Sequence, residues 1–156
     1  MESIFQKFDK SDNKILSMIL EQLSKINPEG FNQKETSFSQ RDGEFKLHLV
    51  SKNNKSLPLT FLVYKNIFNS YIGHFQIHKI DDIVIKNIKG YLQLKKEVEK
   101  LLYSKITEKL FIKDNKLKEY EYTFFFENKT RIYNSSFFFH SKNYNVENHY
   151  EPWVEK

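Results

Sequence analysis

Residues 44–65 decide the fold, and they read EFKLHLVSKNNKSLPLTFLVYK. In residues 44–51 apolar and polar side chains alternate, which predicts a strand with one face in the core. In residues 57–65 apolar side chains occupy both faces, as expected of a strand that is covered on both sides. The polar stretch Lys52–Lys55 between them predicts a turn. Pro58 cannot donate a hydrogen bond, so it belongs at the start of the second strand or on an edge.

Other segments of the chain have the same kind of pattern. Residues 71–79 alternate, with Tyr71 and Phe75 on one face and mostly polar side chains on the other. Glu127–Thr130 predicts the turn of a C-terminal hairpin. Besides residues 71–79, the strand candidates are residues 34–41, 83–85, 119–126 and 131–140.

Two segments have the spacing of an amphipathic helix. In residues 12–26 apolar side chains recur at helical spacing, and Ser11 or Asp12 can cap the start. Asn27–Gly30 ends this helix, because it combines a proline with a permissive glycine. In residues 92–111 an apolar side chain recurs every four residues, with lysines on the opposite side. That series consists of Leu94, Val98, Leu102, Ile106 and Leu110.

The order of these elements favours an α+β fold, because runs of strands are punctuated by two helices. We expect an N-terminal helix, an antiparallel meander of three to four strands, a second amphipathic helix and a C-terminal aromatic β-hairpin. One mixed or antiparallel sheet would hold all the strands. The length of 156 residues is that of a single domain, residues 1–156, with residues 141–156 as a packed C-terminal tail.

The composition excludes several classes of protein. Apolar residues make up 39% of the chain and aromatic residues 16%, which argues against intrinsic disorder. The absence of cysteine excludes disulfides and cysteine chemistry. Met1–Lys14 lacks the apolar core of a secretory signal, and apolar runs such as Phe61–Tyr64 are too short to span a membrane. We therefore expect a cytoplasmic protein that does not enter a membrane.

The charge is basic, but it is carried almost entirely by lysine. The net charge is +5, and Arg41 and Arg131 are the two arginines. Because arginine is the residue that binds phosphates and bases with two parallel hydrogen bonds, the basic excess is weak evidence for nucleic acid. The nucleic-acid alternative rests on a lysine-rich helix face, where Lys96, Lys100 and Tyr103 could combine charge with ring stacking.

Candidate catalytic and metal-binding residues are few. His74 and His78 share one face of a predicted strand, but about 13 Å would separate them at ~3.3 Å per residue. Asp81 and Asp82 form a carboxylate pair that could hold magnesium, although turn chemistry is the stronger explanation. Four glycines cannot build a phosphate-binding loop. We expect the protein to have no catalytic activity and to bind no cofactor or metal. The alternative is an enzyme that uses His74, His78 and Asp82.

The most unusual feature is a pair of aromatic triplets, Phe124–Phe126 and Phe137–Phe139. Three consecutive aromatic residues in a strand place large apolar groups on both faces. One face can cover the helices. The other is either buried by the tail with Trp153 or exposed, and an exposed aromatic face is a surface for a partner or for self-association.

The chain is small, free of cysteine and rich in Lys, Asn and Phe, and it has no catalytic signature. In size and composition it is similar in kind to the immunity proteins of bacterial toxin systems. That similarity implies a protein that neutralises a basic toxin domain by stoichiometric occlusion. The sequence also leaves open that the chain forms a homodimer. From the aromatic and acidic residues of the C-terminal segment, the expected contact residues are Glu119, Tyr120, Glu121, Tyr122, Tyr144, Tyr150 and Trp153.

Overall fold

The structure is a computed structural model that describes residues 13–135 and 144–155, except for the side chains of Asp81 and Asp82. Within these residues the chain forms two α-helices and nine β-strands in two antiparallel sheets. The helices are α1 (Lys14–Leu23) and α2 (Ile88–Tyr103). The strands are β1 (Ser37–Arg41), β2 (Glu44–Leu49), β3 (Leu59–Tyr64), β4 (Ile67–Ile72), β5 (Ile77–Val84), β6 (Lys105–Lys113), β7 (Lys116–Phe126), β8 (Lys129–Asn134) and β9 (Val146–Tyr150).

The first sheet is a meander in the order β1-β2-β3-β4-β5, and all its neighbours are antiparallel. Strand β3 lies in the middle, and Leu59, Phe61 and Val63 are buried on one face while Thr60 is buried on the other. The prediction that this strand is covered on both sides is confirmed only in part, because on the second face Leu62 is partly buried and Tyr64 is exposed. Pro58 comes directly before the strand, where its missing N–H removes no hydrogen bond from the ladder.

The second sheet has the order β8-β7-β6-β9 and is also antiparallel. Its centre is the long hairpin of β6 and β7, in which Ile106 lies opposite Phe124 and Leu110 opposite Tyr120. Strand β9 comes from the C-terminal part of the chain and pairs with the other side of β6. Strands β8 and β9 thus form its two edges.

The two helices and the two sheets bury their apolar side chains in one cluster. Helix α2 contributes Val98 and Leu102, which are fully buried. From the C-terminal segment, Trp153 is buried and its indole Nε1 donates a hydrogen bond to the backbone oxygen of Leu57 at 2.8 Å. Ile15, near the other end of the described chain, belongs to the same cluster. Residues from the two ends therefore share one core.

Helix α1 begins after Asn13, whose side-chain oxygen accepts hydrogen bonds from the backbone nitrogens of Ile15 and Leu16. The caps expected from the sequence, Ser11 and Asp12, lie outside the described residues. The helix within residues 12–26 is confirmed, and its apolar side faces the core.

The predicted second helix, residues 92–111, is wrong at its C-terminal end. Helix α2 ends at Tyr103, Ser104 is extended, and β6 begins at Lys105. Residues four apart lie on the same face of a helix and also on the same face of a strand. Ile106 and Leu110 therefore satisfy the helical pattern while belonging to a strand.

The predicted strand at residues 71–79 is also wrong, because it spans a turn. Strand β4 ends at Ile72, residues 73–76 form the turn, and β5 begins at Ile77. Gly73 and Gln76 have positive φ angles of 73° and 50°, which close the hairpin. The alternation of apolar residues continues through the turn by coincidence and conceals it.

The α+β class predicted from the order of elements is confirmed, whereas the prediction of one sheet is wrong. The segment that was expected to extend the helix instead forms β6, and this strand gives the C-terminal hairpin a sheet of its own. The hairpin itself is present in β7 and β8, with a tighter turn at residues 127–128. Phe137–Phe139 lie outside the described residues. Within the described part of the chain, neither helix has the length and apolar character needed to cross a membrane.

Candidate functional site

The outer face of the second sheet carries two large exposed apolar side chains. Along β7, Tyr122 and Phe124 point to the core and are buried, whereas Phe125 points outward and is 46% exposed. On β8, Ile132 is 61% exposed and lies opposite Thr123, two residues before Phe125. Phe125 and Ile132 are therefore diagonal neighbours on one solvent-facing sheet surface.

Two acidic residues share this face. Glu119 and Glu121 alternate with the inward tyrosines of β7, as expected from the sequence. Tyr144 lies near both carboxylates, since burial and then the charges of Glu121 and Glu119 raise the pKa of its phenol. Three of the predicted contact residues, Glu119, Glu121 and Tyr144, are thus placed together.

Carboxylates cluster in the middle of this outer face, although the chain as a whole is basic and Lys113 and Lys116 pair at the end of the β6–β7 hairpin. Its lysines are countered by neighbouring carboxylates: Lys109 lies between Glu121 on β7 and Glu147 on β9. Lys105 is 3.6 Å from a carboxylate oxygen of Glu151. We call this surface, on the outer side of β6–β9, the acidic sheet face. The charged residues in its central part are Glu119, Glu121, Glu147, Glu151, Lys105 and Lys109.

Four of the seven predicted contact residues point inward instead of outward. Tyr122, Tyr150 and Trp153 are at most 7% exposed and belong to the core, so the expectation that they are exposed is corrected. Tyr120 is half-buried on the inner side, where its ring centroid lies 5.9 Å from that of Tyr122 and 5.8 Å from that of Tyr133. The even-numbered positions of β7 face the helices, which is why the aromatic residues there are core residues.

The inner side also holds a buried carboxylate, which we call the Glu108 cluster. Glu108 is 1% exposed, and it accepts hydrogen bonds from Tyr122 Oη at 2.7 Å, Asn148 Nδ2 at 2.9 Å and Tyr150 Oη at 3.0 Å. All three donors are neutral groups. The pKa values of the two phenols are raised by burial, then by the charge of Glu108 and their hydrogen bonds to it. The cluster ties β7 and β9 to β6.

The turn between β4 and β5 rests on this cluster. A Cβ atom at Gly73 would lie 2.4 Å from Tyr122 Oη and 3.0 Å from a Glu108 oxygen. A glycine at this position, with its φ of 73°, therefore lets the two sheets approach each other. Sequence reasoning missed the cluster because it placed Glu108 on a helix. A carboxylate between Ile106 and Leu110 on the inner face of β6 breaks the apolar pattern that marks a strand.

The predicted metal and catalytic residues do not converge in the described part of the chain. His74 lies in the exposed turn before β5, and the ring of His78 lies on Tyr71 with centroids 4.2 Å apart. No group of three or more His, Asp or Glu residues that could hold a metal ion occurs among the described residues. The side chain of Asp82 is outside the description, so the enzyme alternative stays a hypothesis.

The basic helix face offers less free charge than its sequence suggests. Lys100 on this face forms an ion pair with Glu97. Tyr103 is partly buried and packs against the core. A nucleic-acid surface that needs both a free charge and an accessible ring gains little support from this arrangement.

A comparison with protein-family models, with curated proteins and with solved structures finds no match to this chain. A functional proposal for the chain therefore rests on its own geometry.

Proposed function

We propose that this protein is a non-catalytic binding module that acts inside the cell by covering a basic protein partner. Its concrete form would be the neutralisation of a toxin domain, with one copy of this chain occluding one copy of the toxin. The binding surface is the acidic sheet face, centred on Phe125 and Ile132.

The observation that carries this proposal is the exposed pair of Phe125 and Ile132 on a regular sheet surface. A strand that faces solvent normally carries polar side chains outward, and large apolar side chains there enlarge the apolar surface that water must cover. Aromatic side chains are also the residues that most often dominate the energy of an interface. A partner that buries both side chains removes this cost.

The carboxylates on this face support a basic partner, and Lys105, which lies directly opposite Phe125, is itself beside Glu151. Glu119, Glu121 and Glu147 lie on the same face, and Lys109 lies between two of them. Such a rim guides a positively charged surface during association and disfavours acidic ones. Nucleases and other proteins that bind nucleic acid carry surfaces of this kind, because they must neutralise phosphates.

The nucleic-acid alternative has weaker support, since Lys100 is paired with Glu97 and Tyr103 packs on the core. The test of the binding module is a comparison of two double variants. Phe125→Ser with Ile132→Ser removes the apolar pair, and Ile88→Ser with Leu92→Ser is the matched control, because those residues of α2 are 71% and 51% exposed.

Each tagged protein is used to capture partners from an extract of its own cells, and the bound proteins are identified by mass spectrometry. We expect a basic protein that the wild-type chain and the α2 control retain and that the sheet variant loses. Toxicity of that protein in a test cell should be suppressed by the wild-type chain and not by the sheet variant. A partner retained equally by both double variants would contradict the proposal, and so would a wild-type dimer that the sheet variant dissolves.

A further inference from the structure

A second site lies on the opposite side of the β7–β8 hairpin. Residues of β5, an edge strand of the first sheet, and of β8, an edge strand of the second, line one cleft together with the C-terminal part of α2. The phenol of Tyr133 on β8 donates a hydrogen bond to the backbone oxygen of His78 on β5 and joins the two edges. Between them is a cleft of about 250 Å³, which we call the edge cleft.

The edge cleft concentrates positive charge. Four cationic side chains line it against two acidic ones, Glu97 and Glu127. Glu97 and Lys100 form an ion pair with each other, so the net positive charge comes from Lys79, Lys129 and Arg131 against Glu127. The cationic residues are Lys79, Lys100, Lys129 and Arg131.

Lys79 lies beside two of the aromatic rings that line this cleft. Its ammonium nitrogen lies 5.0 Å from the ring centre of Tyr133 and 5.7 Å from that of Phe124. Burial lowers the pKa of Lys79, the charge of Glu97 raises it, and the charges of Lys100 and Arg131 lower it further. An incoming anion would therefore relieve the mutual repulsion of these cations.

A buried hydroxyl in the same cleft has no hydrogen-bond partner among the described residues. Ser104 joins α2 to β6 and is 1% exposed, and its Oγ makes no hydrogen bond within the described part of the chain. A buried polar atom without a partner costs about 1–3 kcal/mol, so such atoms commonly face a ligand or an ordered water. Ser104 also lines the edge cleft, but its Oγ is shielded from solvent, so an occupant would reach the hydroxyl through a rotation of the Ser104 side chain.

We propose that the edge cleft binds the phosphate group of a small molecule, either inorganic phosphate or a phosphate monoester. Ser104 Oγ donates one hydrogen bond, the Arg131 guanidinium supplies a planar pair of donors, and Lys79 and Lys129 supply charge. Arg131 is one of the two arginines in the chain, and it stands directly opposite Phe124 on the cleft side of the hairpin.

The size of the cleft selects small ligands. Its volume of about 250 Å³ is below the range in which sites for drug-sized molecules fall. The rings of Phe124 and Tyr133 form an apolar wall, which suits the carbon skeleton of a phosphate monoester. Phe124, Arg131 and Tyr133 of the edge cleft lie on the side of the β7–β8 hairpin opposite the acidic sheet face, and Ile132 borders both surfaces.

The experiment is a calorimetric titration of the purified protein with three probes: inorganic phosphate, ribose 5-phosphate and ribose. We expect both phosphates to bind and ribose not to bind. Tighter binding of ribose 5-phosphate would identify a monoester as the ligand, and equal binding would identify free phosphate. Binding of ribose as tight as that of ribose 5-phosphate, or no binding of either phosphate at millimolar concentration, overturns the proposal.

Two variants and one control locate the site. Arg131→Gln should weaken phosphate binding about tenfold, as expected for the loss of charge-assisted hydrogen bonds. Ser104→Ala should weaken it severalfold without destabilising the fold, because its hydroxyl makes no hydrogen bond to the described residues. Lys96→Gln removes a charge from the same helix outside the cleft and should leave binding unchanged. Equal weakening by Lys96→Gln and Arg131→Gln would mean general charge attraction and would overturn the site.

The amine of Lys79 gives a readout that a purely structural role would not move. Bound phosphate stabilises the ammonium form, so the pKa of Lys79 measured by NMR should rise when phosphate is added. The other charged groups that line the cleft are present with and without phosphate, so they cannot cause a rise in the pKa of Lys79 when phosphate is added. They are Glu97, Glu127, Lys100, Lys129 and Arg131. A pKa that stays constant under saturating phosphate contradicts direct contact.

Discussion

Replacing Glu108 by leucine tests whether its buried carboxylate holds the second sheet together. The substitution Glu108→Leu keeps the approximate volume of the side chain but removes the acceptor of three hydrogen bonds. Tyr122, Asn148 and Tyr150 then lose the partner that lies 2.7–3.0 Å away. Two of these donors, the phenols, belong to buried residues.

The expected cost depends on the number of donors that are left without a partner. Each buried donor that loses its acceptor costs about 1–3 kcal/mol, so the two buried phenols give roughly 2–6 kcal/mol of lost unfolding free energy. The relief of a buried charge offsets a part of this cost. Since domains of this kind have about 5–15 kcal/mol in total, the variant should be close to the limit of folding.

The assay is equilibrium unfolding in urea at pH 7, followed by the fluorescence of Trp153, the one tryptophan of the chain. The slope against urea should stay unchanged, so that the midpoint reports stability. A triple variant, Glu108→Leu with Tyr122→Phe and Tyr150→Phe, removes the orphaned phenols. It should recover about 2 kcal/mol or more relative to the single variant.

Two results would refute this reasoning. A loss of less than about 1 kcal/mol in Glu108→Leu would mean that the hydrogen bonds contribute nothing net. A triple variant no more stable than the single one would mean that the loss comes from packing, and not from unsatisfied donors.

Three further predictions concern the same region. Gly73→Ala should lower the free energy of unfolding in urea by about 2 kcal/mol or more, because it combines a positive φ with a Cβ atom 2.4 Å from a phenol oxygen. The control Gly30→Ala, where the space is open, should show little change. Because the folded state raises the pKa values of Tyr122 and Tyr150, the unfolded state loses these protons first. Stability should be constant below pH ~10 and fall above it by roughly 1.4 kcal/mol per pH unit for each tyrosine. Thermal melting of Tyr150→Phe should show a shallower alkaline decline than wild type, and parallel curves would contradict this. Trp153→Phe should cost about 1 kcal/mol or more in thermal unfolding through the lost indole hydrogen bond, and an unchanged melting temperature would argue against it.

The elements that could be predicted from sequence are those whose pattern fits one kind of structure. Residues 44–49 alternate strictly, and residues 59–64 are apolar on both faces, so the sequence predicts β2 and β3 to within two residues at either end. Residues 104–113 could not be predicted, because Ile106 and Leu110 satisfy helix and strand alike. Their tertiary environment selects the strand, because in β6 they face the core between β7 and β9.

The acidic sheet face could be predicted only in part. The alternation of β7 places Glu119 and Glu121 on a common face, which the structure shows. The exposed Phe125 agrees with one of the two interpretations of the aromatic triplet, whereas Trp153 is a core residue and not a cover. The position of Ile132 beside Phe125 depends on the cross-strand register with Thr123, and one sequence does not specify register.

The hydrogen bond from Trp153 to Leu57 spans 96 positions in sequence and bears on the kinetics of folding. The meander of the first sheet forms through short hairpins, each closed over a few residues, whereas the indole must find its acceptor by closing a very large loop. Burial of Trp153 should therefore be a late event along the folding route. Stopped-flow fluorescence would then follow the final docking of the C-terminal segment, while circular dichroism follows the earlier growth of the hairpins.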